Sequence, residues 1–246
     1  MSGHSKWSTI KRKKGANDAK RAQLFAKLIK AIEISARNGG TDPLNNASLF
    51  QAISKAKSSS VPNDNIERAL KRVEGNSESS DFIELSYEGY GPYGVAILIN
   101  CLTDNKNRTS SDVKAALAKY GGAMGTPGSV SYLFERKAVF QFESSSELLI
   151  DTAISLDCLD VLESSNGVSF EFTPTDFKKA YDGFKIKNFS PINSEIAHIS
   201  LTSVKLESSQ FQIISKLIET LEDLDDVQDV FTNFDIEEKD LETLLS

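Results

Sequence analysis

The amino-acid types near the N-terminus are those that bind nucleic acid. Lys and Arg contact phosphate oxygens, while Trp and His can stack on an exposed base. The candidate nucleic-acid contacts are His4, Lys6, Trp7, Lys11, Arg12, Lys13, Lys14, Lys20, Arg21, Lys27, Lys30 and Arg37. A solvated basic tail is the alternative interpretation. Because the cations continue along a predicted helix, we favour nucleic-acid contact.

Two later loops are candidate second contact sites. The loop at 87–94 is rich in Gly and Tyr, and is either a recognition loop or a hairpin turn, which its spacing favours. The loop at 104–108 could hold Mg²⁺ or phosphate, but its residue types are more typical of a turn with a helix cap at Asn107 or Thr109. The candidate residues are Tyr87, Glu88, Tyr90, Asp104, Asn105, Lys106, Asn107 and Arg108.

No set of residues suited to catalysis can be assembled, and a metal site in the acidic run near the C-terminus is conceivable but not favoured. The acidic run, which comprises Glu219, Glu222, Asp223, Asp225, Asp226 and Asp229, lacks the spacing of a Ca²⁺ loop. It is expected to be a solvated helix end that repels nucleic acid. His4 and His198 are the only histidines, and neither Cys101 nor Cys158 has a base nearby in sequence. We therefore expect reduced core thiols, no catalytic residues, no metal, no cofactor and no enzymatic activity.

Three helices are predicted to carry the N-terminal candidates. Apolar residues recur every three or four positions from Asn17 to Arg37, and the cations Lys20, Lys27, Lys30 and Arg37 fall on the opposite face. A second helix is expected at 48–58, and a third from Pro62 to Gly75. The pattern predicts a small bundle with one buried seam and one solvated basic face.

After a polar linker the pattern changes to strands and helices. Residues 82–134 have the order strand, strand, helix, strand, with the last strand expected at 129–134. Residues 138–201 have the β-α-β-β-α-β order of a ferredoxin-like unit, and a helix at 210–224 and a strand at 227–233 follow. We predict an α+β multidomain fold, in which an N-terminal three-helix bundle (1–76) precedes two ferredoxin-like α+β domains. The discontinuous second domain is 77–134 plus 206–246, and the third, 135–205, is inserted in it.

The charge of the chain is divided unevenly between these parts. The 246 residues carry a net charge of −7, but those up to Gly75 hold 15 Lys and Arg against 6 Asp and Glu, a net +9. The remainder has a net charge of −16, so only one end is suited to a polyanion partner. The longest apolar runs are far shorter than the roughly 20 residues that cross a bilayer, and we expect no membrane partner.

Several motifs together resemble those of a known family. They are Gly3-His4-Ser5-Lys6-Trp7, Asp18-Ala19-Lys20-Arg21, Gly39-Gly40-x-Asp42-Pro43, Tyr87 to Gly91-Pro92, Asp104-Asn105-Lys106-Asn107-Arg108-Thr109, Gly128-Ser129-Val130 and Leu221-Glu222-Asp223-x-Asp225-Asp226-Val227-Gln228. In this order they resemble the YebC/PmpR family. The resemblance implies three domains, the third inserted in the second. It also implies nucleic-acid contacts at Lys6, Trp7, Lys11 to Lys14, Lys20 and Arg21.

The resemblance leaves two functions open. Many bacterial members are described as DNA-binding transcriptional regulators, whereas others, including the mitochondrial translational activator of cytochrome oxidase, act on the ribosome at difficult sequences such as proline runs. The loops at 87–91 and 104–108 could then contact RNA or the ribosome. A basic arm with an aromatic residue suits RNA, and no clear helix-turn-helix is present. The chain begins at the first motif, which favours a bacterial cytoplasm, and either a monomer or a weak dimer is compatible with the sequence.

Overall fold

A computed structural model describes residue 7 and residues 18–75, 82–164 and 167–237 of the chain. Within these residues the helices are α1 (Asp18–Gly39), α2 (Ala47–Ser58), α3 (Asn63–Gly75), α4 (Lys106–Lys119), α5 (Glu147–Ser155), α6 (Phe177–Ile186) and α7 (Ser208–Glu222). The strands are β1 (Ile83–Tyr90), β2 (Ala96–Thr103), β3 (Ala123–Met124), β4 (Phe134–Phe142), β5 (Asp160–Ser164), β6 (Gly167–Phe172), β7 (Asn193–Ser200), β8 (Val204–Lys205), β9 (Val227–Thr232) and β10 (Phe234–Asp235). The protein has an α+β fold with a helical N-terminal region and two four-stranded sheets.

The first sheet combines distant parts of the sequence. Its strand order is β3-β1-β2-β9, and β1 and β2 form an antiparallel hairpin that pairs Ile83 with Thr103 and Tyr90 with Ala96. Apolar residues of β2, α4 and α7 form one buried cluster beside this sheet. Because a hairpin joins its first two strands without a helix, this sheet lacks the β-α-β-β-α-β order. The expectation of a ferredoxin-like order is therefore wrong for the discontinuous part.

The second sheet has the order of elements that the sequence predicts. Its strands run in the order β5-β6-β4-β7, with α5 after β4 and α6 after β6. Phenylalanine rings fill its core, and the ring centroids of Phe140 and Phe177 lie 5.2 Å apart. The strand predicted at 129–134 is absent: a short 3₁₀ turn occupies Ser131–Leu133, and β4 begins at Phe134. This difference has a cause that is distant in the sequence, since the backbone N–H groups of Val130 and Ser131 are bound by Glu88.

The chain divides into two compact units. The first comprises residues 1–27, 81–135 and 198–246, and the second comprises residues 28–80 and 136–197. In the second unit, Phe50 of α2 packs edge-to-face against Tyr181 of α6, with ring centroids 5.4 Å apart. The three-domain division of the sequence stays a prediction. None of the helices in the described ranges is both long and apolar enough to cross a membrane.

Candidate nucleic-acid interface

The predicted N-terminal contacts fall into two groups. His4, Lys6, Lys11, Arg12, Lys13 and Lys14 lie outside the described residues. Trp7, Lys20, Arg21, Lys27, Lys30 and Arg37 are described, and their exposure differs. They therefore allow the predicted basic face to be compared with the folded helix.

Trp7 is buried in the core of the first unit. Its side chain is only 3% exposed and belongs to the same apolar cluster as Ile97 of β2 and Leu221 of α7. Its indole Nε1 donates a hydrogen bond to the Glu222 carboxylate, 3.2 Å away. An indole ring that is covered in this way presents no face to a base. Stacking by Trp7, as predicted from the sequence, requires the ring to leave this core.

The basic face of α1 is only partly solvated. Lys20 and Arg21 are exposed, whereas Lys30 and Arg37 are half-buried. Lys27 is buried, at 9% exposure. The solvated stripe predicted from the helical wheel is thus wrong at Lys27. The wheel assumes a single buried face, but α1 is also covered on part of its basic side.

The turn that joins α7 to β9 explains the burial of Lys27. We call residues 222–227 the acidic turn, since they include Glu222, Asp223, Asp225 and Asp226. The Lys27 ammonium donates hydrogen bonds to the carbonyl oxygens of residues 222, 224 and 227, at 2.6, 2.5 and 2.9 Å. The last carbonyls of a helix have no partner within it and attract a cation. Lys27 therefore caps the C-terminal end of α7.

The first turns of α1 make further contacts with the acidic turn. Lys20 forms an ion pair with Asp223 at 3.1 Å, and each of these two side chains is about half exposed. The Gln23 amide donates to the Asp223 carbonyl at 2.7 Å and to the Asp225 carboxylate at 3.0 Å. The acidic turn is thus paired with cations and amides, in contrast to the solvated helix end expected from the sequence.

Arg108 binds the acidic turn from the side of α4. Its guanidinium lies 2.7 Å from the Asp226 carboxylate and 2.8 Å from that of Asp104. The hydroxyl groups of Thr103 and Thr109 donate to the same Asp226 oxygen, at 3.1 and 2.9 Å. Two carboxylates neutralise Arg108, so this loop is built as a structural ion pair. The described residues hold no group of three or more His, Cys, Asp or Glu side chains that could bind a metal ion.

The remainder of the 104–108 loop begins helix α4. The Asn105 side chain accepts a hydrogen bond from the Arg108 backbone N–H at 3.1 Å and is the N-cap, in place of the predicted Asn107 or Thr109. Lys106 and Asn107 are exposed. The Lys106 carbonyl accepts a hydrogen bond from the Tyr87 hydroxyl at 3.0 Å. Tyr87 therefore links β1 to the start of α4 and has a packing role.

Glu88, which begins the predicted 87–94 loop, lies on β1 and binds the backbone of the loop at 128–131. Its buried carboxylate accepts backbone N–H groups of Gly128, Val130 and Ser131, at 2.7, 2.6 and 2.8 Å. Tyr90 donates its hydroxyl to the Ser129 carbonyl at 2.9 Å, yet its side chain remains 38% exposed. Glu88 thus fixes the loop, and Tyr90 is the residue of the pair that a partner could reach.

The structure brings the sequence motifs together at two places. Trp7 and Lys20 of the N-terminal motifs and Arg108 of the 104–108 motif contact the acidic turn, and Glu88 and Tyr90 contact the loop around Gly128. Gln23, Thr103 and Thr109 also belong to these contacts, although they were not among the predicted site residues. Only their place in the sequence could have identified them, because each lies in or close to a motif that contributed to the resemblance.

The pKa values of the Glu88 and Asp226 carboxyl groups lie below their ordinary values. Burial alone would raise the pKa of Glu88, but hydrogen bonds from three backbone N–H groups outweigh it. Burial also raises the pKa of Asp226, and hydrogen bonds from Arg108, Thr109 and Thr103 lower it further than burial raises it. Both groups are therefore ionised in the folded protein at neutral pH.

These shifts predict a loss of stability in acid. A carboxyl whose pKa is lower in the folded state contributes stability that is fully present above its ordinary pKa, 4.5 for Glu88 and 3.8 for Asp226. That stability is lost as the pH falls through the lower folded pKa. Urea unfolding at a series of pH values should show a fall below about pH 4.5 that is smaller in Glu88→Gln. A Glu88→Gln protein with the wild-type acid dependence would contradict this assignment.

The two cysteine thiols are not activated. Burial, with a smaller effect of the nearby Asp226 carboxylate, raises the pKa of Cys101 to about 12, and the Lys27 ammonium acts in the opposite direction. Burial likewise raises the pKa of Cys158, which is half-buried. A thiol that stays protonated at neutral pH is a poor nucleophile. Both cysteines are free thiols, in agreement with the sequence prediction.

Comparison with known proteins covers nearly the whole chain. The model of the TACO1/YebC protein N-terminal domain matches residues 5–76, and that of the TACO1/YebC second and third domain matches residues 82–234. A "probable transcriptional regulatory protein" of Borreliella burgdorferi (strain ZS7) is 49% identical over 242 residues, which cover 97% of this chain and 99% of the relative. A protein of the same name from Geotalea uraniireducens (strain Rf4) is 43% identical over 247 residues, with full coverage of both chains.

The fold is shared with a protein of known structure. The crystal structure of a conserved hypothetical protein from Aquifex aeolicus is 38% identical, with a TM-score of 0.79, and the match covers 90% of this chain and 93% of that one. Fold and contacts together define an α+β protein whose N-terminal helix is bound to an acidic turn of the same chain. The chain belongs to the TACO1/YebC family, which confirms the resemblance found in its sequence motifs.

Proposed function

We propose that this protein is a regulatory protein that binds nucleic acid, and that its target is DNA, as in a transcriptional regulator of the YebC type. The observation that carries the proposal is the net charge of +9 on the residues up to Gly75 of a chain whose overall charge is −7. Relatives that are 43–49% identical over nearly the full chain are named probable transcriptional regulatory proteins. Lys20 and Arg21 supply exposed cations.

Binding of this kind is expected to depend mainly on phosphate contacts. Lys and Arg that neutralise phosphates release counterions, which makes the affinity strongly dependent on salt. The proposed contacts are the cations at Lys6, Lys11 to Lys14, Lys20 and Arg21, with His4 and Trp7 as residues that could stack on a base. Tyr90 is a proposed second contact, because its ring is exposed at the end of β1, beside the 128–131 loop that Glu88 holds in place.

One observation favours RNA on the ribosome as the alternative target. A helix that reads the major groove presents a row of side chains to the base edges. Along α1, Lys27 is buried and Lys30 and Arg37 are half-buried, so this helix offers few cations to a groove. An alternative role as a translation activator that relieves stalling at difficult sequences, such as proline runs, would need no such recognition helix.

The remaining features of the proposal follow from the same observations. We infer a cytoplasmic location from the regulatory names of the relatives. We infer no enzymatic activity and no cofactor requirement, since the raised pKa values of the thiols do not favour nucleophilic chemistry.

The three-domain organisation, with 135–205 inserted between 77–134 and 206–246, is supported by a second sheet whose strands all lie, in the sequence, between β3 and β9 of the first sheet. The oligomeric state is proposed to be a monomer or a weak dimer.

Replacing Lys11, Arg12, Lys13 and Lys14 together by Ala should weaken binding to every nucleic-acid sequence. Each lost phosphate contact is expected to reduce the slope of log affinity against log salt by about 0.9 for duplex DNA and about 0.7 for single strands. Fluorescence anisotropy with labelled duplex DNA and with an RNA hairpin, over a range of salt, measures both effects.

The matched control removes four exposed cations from the acidic part of the chain, by Ala at Lys114, Lys185, Lys187 and Lys216. It changes the net charge by the same amount and should have a smaller effect on affinity and little effect on the salt slope. If the N-terminal variant bound both DNA and RNA as tightly as the wild-type protein does, the proposal would be overturned.

The choice between DNA and the ribosome needs a measurement in cell extract. After crosslinking and sedimentation, recovery of promoter DNA at the N-terminal lysines is the result expected from the proposed function. Recovery of ribosomal RNA at the same lysines would replace transcription by translation as the process that is regulated.

A further inference from the structure

Trp7 and the start of α1 are bound by a turn that resembles a phosphate backbone in presenting closely spaced anionic oxygens. Three side chains, Trp7, Lys20 and Gln23, donate to oxygen atoms of residues 222–225 at distances of 2.7 to 3.2 Å. The acidic turn has four carboxylates within five consecutive positions. It therefore presents closely spaced anionic oxygens to the helix that the proposed function assigns to nucleic acid.

The contacts differ in how easily they can be exchanged. Lys20 and Asp223 are each about half exposed, and an ion pair of this kind contributes little to stability in water. Lys27 is buried and donates to three carbonyl oxygens, so its release would break three hydrogen bonds at a site where its ammonium has little access to bulk water. Nucleic acid is thus expected to replace the contacts that residues before Lys27 make with the acidic turn. The hydrogen bonds of Lys27 are expected to remain.

Both ends of the segment between Trp7 and Lys20 are bound to the acidic turn. The run of cations at 11–14 lies within this segment of the sequence. A phosphate that bound Lys20 in its present place would lie close to the Asp223 carboxylate, and like charges repel strongly within a Debye length of about 8–10 Å. Release of Trp7 and Lys20 from the turn removes this repulsion and frees donors for phosphate.

We propose that the acidic turn is an internal competitor of nucleic acid, and that binding of nucleic acid displaces Trp7, Lys20 and Gln23 from it. The inference rests on the proposed function and adds a mode of regulation to the same site. The affinity for nucleic acid is then the free energy of the new contacts with nucleic acid less that of the bonds broken at the acidic turn and of removing the Trp7 ring from the apolar core. Trp7 becomes accessible to stack on a base only in the bound state.

The test uses the full chain with Asp223→Asn and Asp225→Asn combined. Both residues are exposed, and both contact α1. The matched control combines Glu84→Gln and Asp112→Asn, which are exposed positions of the same unit and change the net charge equally. Affinity for a labelled duplex DNA and for an RNA hairpin is measured by anisotropy. The acidic-turn variant should bind about three- to tenfold more tightly than the control, and less so at high salt.

Fluorescence of Trp7 supplies an independent readout, because it is the only tryptophan of the chain. In the wild-type protein, saturation with nucleic acid should shift its emission to longer wavelength and increase quenching by acrylamide. In the acidic-turn variant without nucleic acid, quenching should already exceed that of the control.

The possible outcomes separate the two proposals. An equal gain in affinity for both double variants would overturn the competition, because it would show a general charge effect. Binding that leaves Trp7 protected would also overturn it, while the proposed function would stand. If neither DNA nor RNA binds wild-type protein, the proposed function fails and this inference fails with it.

Discussion

Replacing Glu88 by Gln is expected to lower the free energy of unfolding of the first unit by about 2–4 kcal/mol. The Glu88 carboxylate accepts three backbone N–H groups, one on Oε1 and two on Oε2. A glutamine amide has one acceptor oxygen, and in either orientation its NH₂ group faces an N–H donor. Urea unfolding followed by circular dichroism and by Trp7 fluorescence, which reports on the same unit, measures the loss.

The control for this prediction is Glu84→Gln. Glu84 lies on the same strand and is exposed, so the same chemical change there should alter the free energy of unfolding only slightly. In Glu88→Gln the loop around Gly128 should also lose order, which faster amide hydrogen exchange at Val130 and Ser131 would detect. Equal stability of the two variants would refute the role of Glu88 as the anchor of this loop.

Replacing Asp226 by Ala is expected to destabilise the same unit by about 2–4 kcal/mol. One Asp226 oxygen accepts hydrogen bonds from the hydroxyl groups of Thr103 and Thr109 and pairs with Arg108. Thr103 and Thr109 are almost fully buried, at 0% and 1% exposure, so water cannot replace the lost acceptor. The same unfolding measurement applies, with a lower urea midpoint as the observable.

Asp104→Ala is the matched control for Asp226. It removes the other carboxylate that binds Arg108, but Asp104 is 46% exposed and its ion pair is surrounded by water. A much smaller loss of stability is therefore expected. If the two alanine variants were equally destabilised, the exposed ion pair would carry the effect, and the buried hydroxyl contacts would not.

Local elements could be predicted because their causes are local. Helix α1 was expected at Asn17–Arg37 and is found at Asp18–Gly39, since apolar periodicity and the glycines that follow it fix its length. The order of strands and helices in the second sheet was also correct. The prediction of a strand at 129–134 was wrong, because Glu88, forty positions before Gly128, binds the backbone N–H groups of this segment. Its carboxylate accepts hydrogen bonds from Gly128, Val130 and Ser131.

The residue types of the candidate interface could be predicted from the sequence, but the solvent exposure of their side chains could not. Charge counting placed the cations at the N-terminus, and a helical wheel placed Lys27 on the face opposite the apolar residues. The wheel contains no information about a second surface that covers this face. Likewise, Trp7 has the amino-acid type of a base-stacking residue, but its hydrogen-bond partner Glu222 is 215 positions away.

The sequence by itself determined the family, the order of most elements and the division of charge into +9 and −16. These depend on residue identity and on short-range periodicity. Only the tertiary structure decided which charged groups are available to a partner, because pairing joins residues far apart in the chain. Lys27 is used to cap α7, Arg108 is neutralised by Asp104 and Asp226, and Lys20 remains half exposed in an ion pair that solvent can reach.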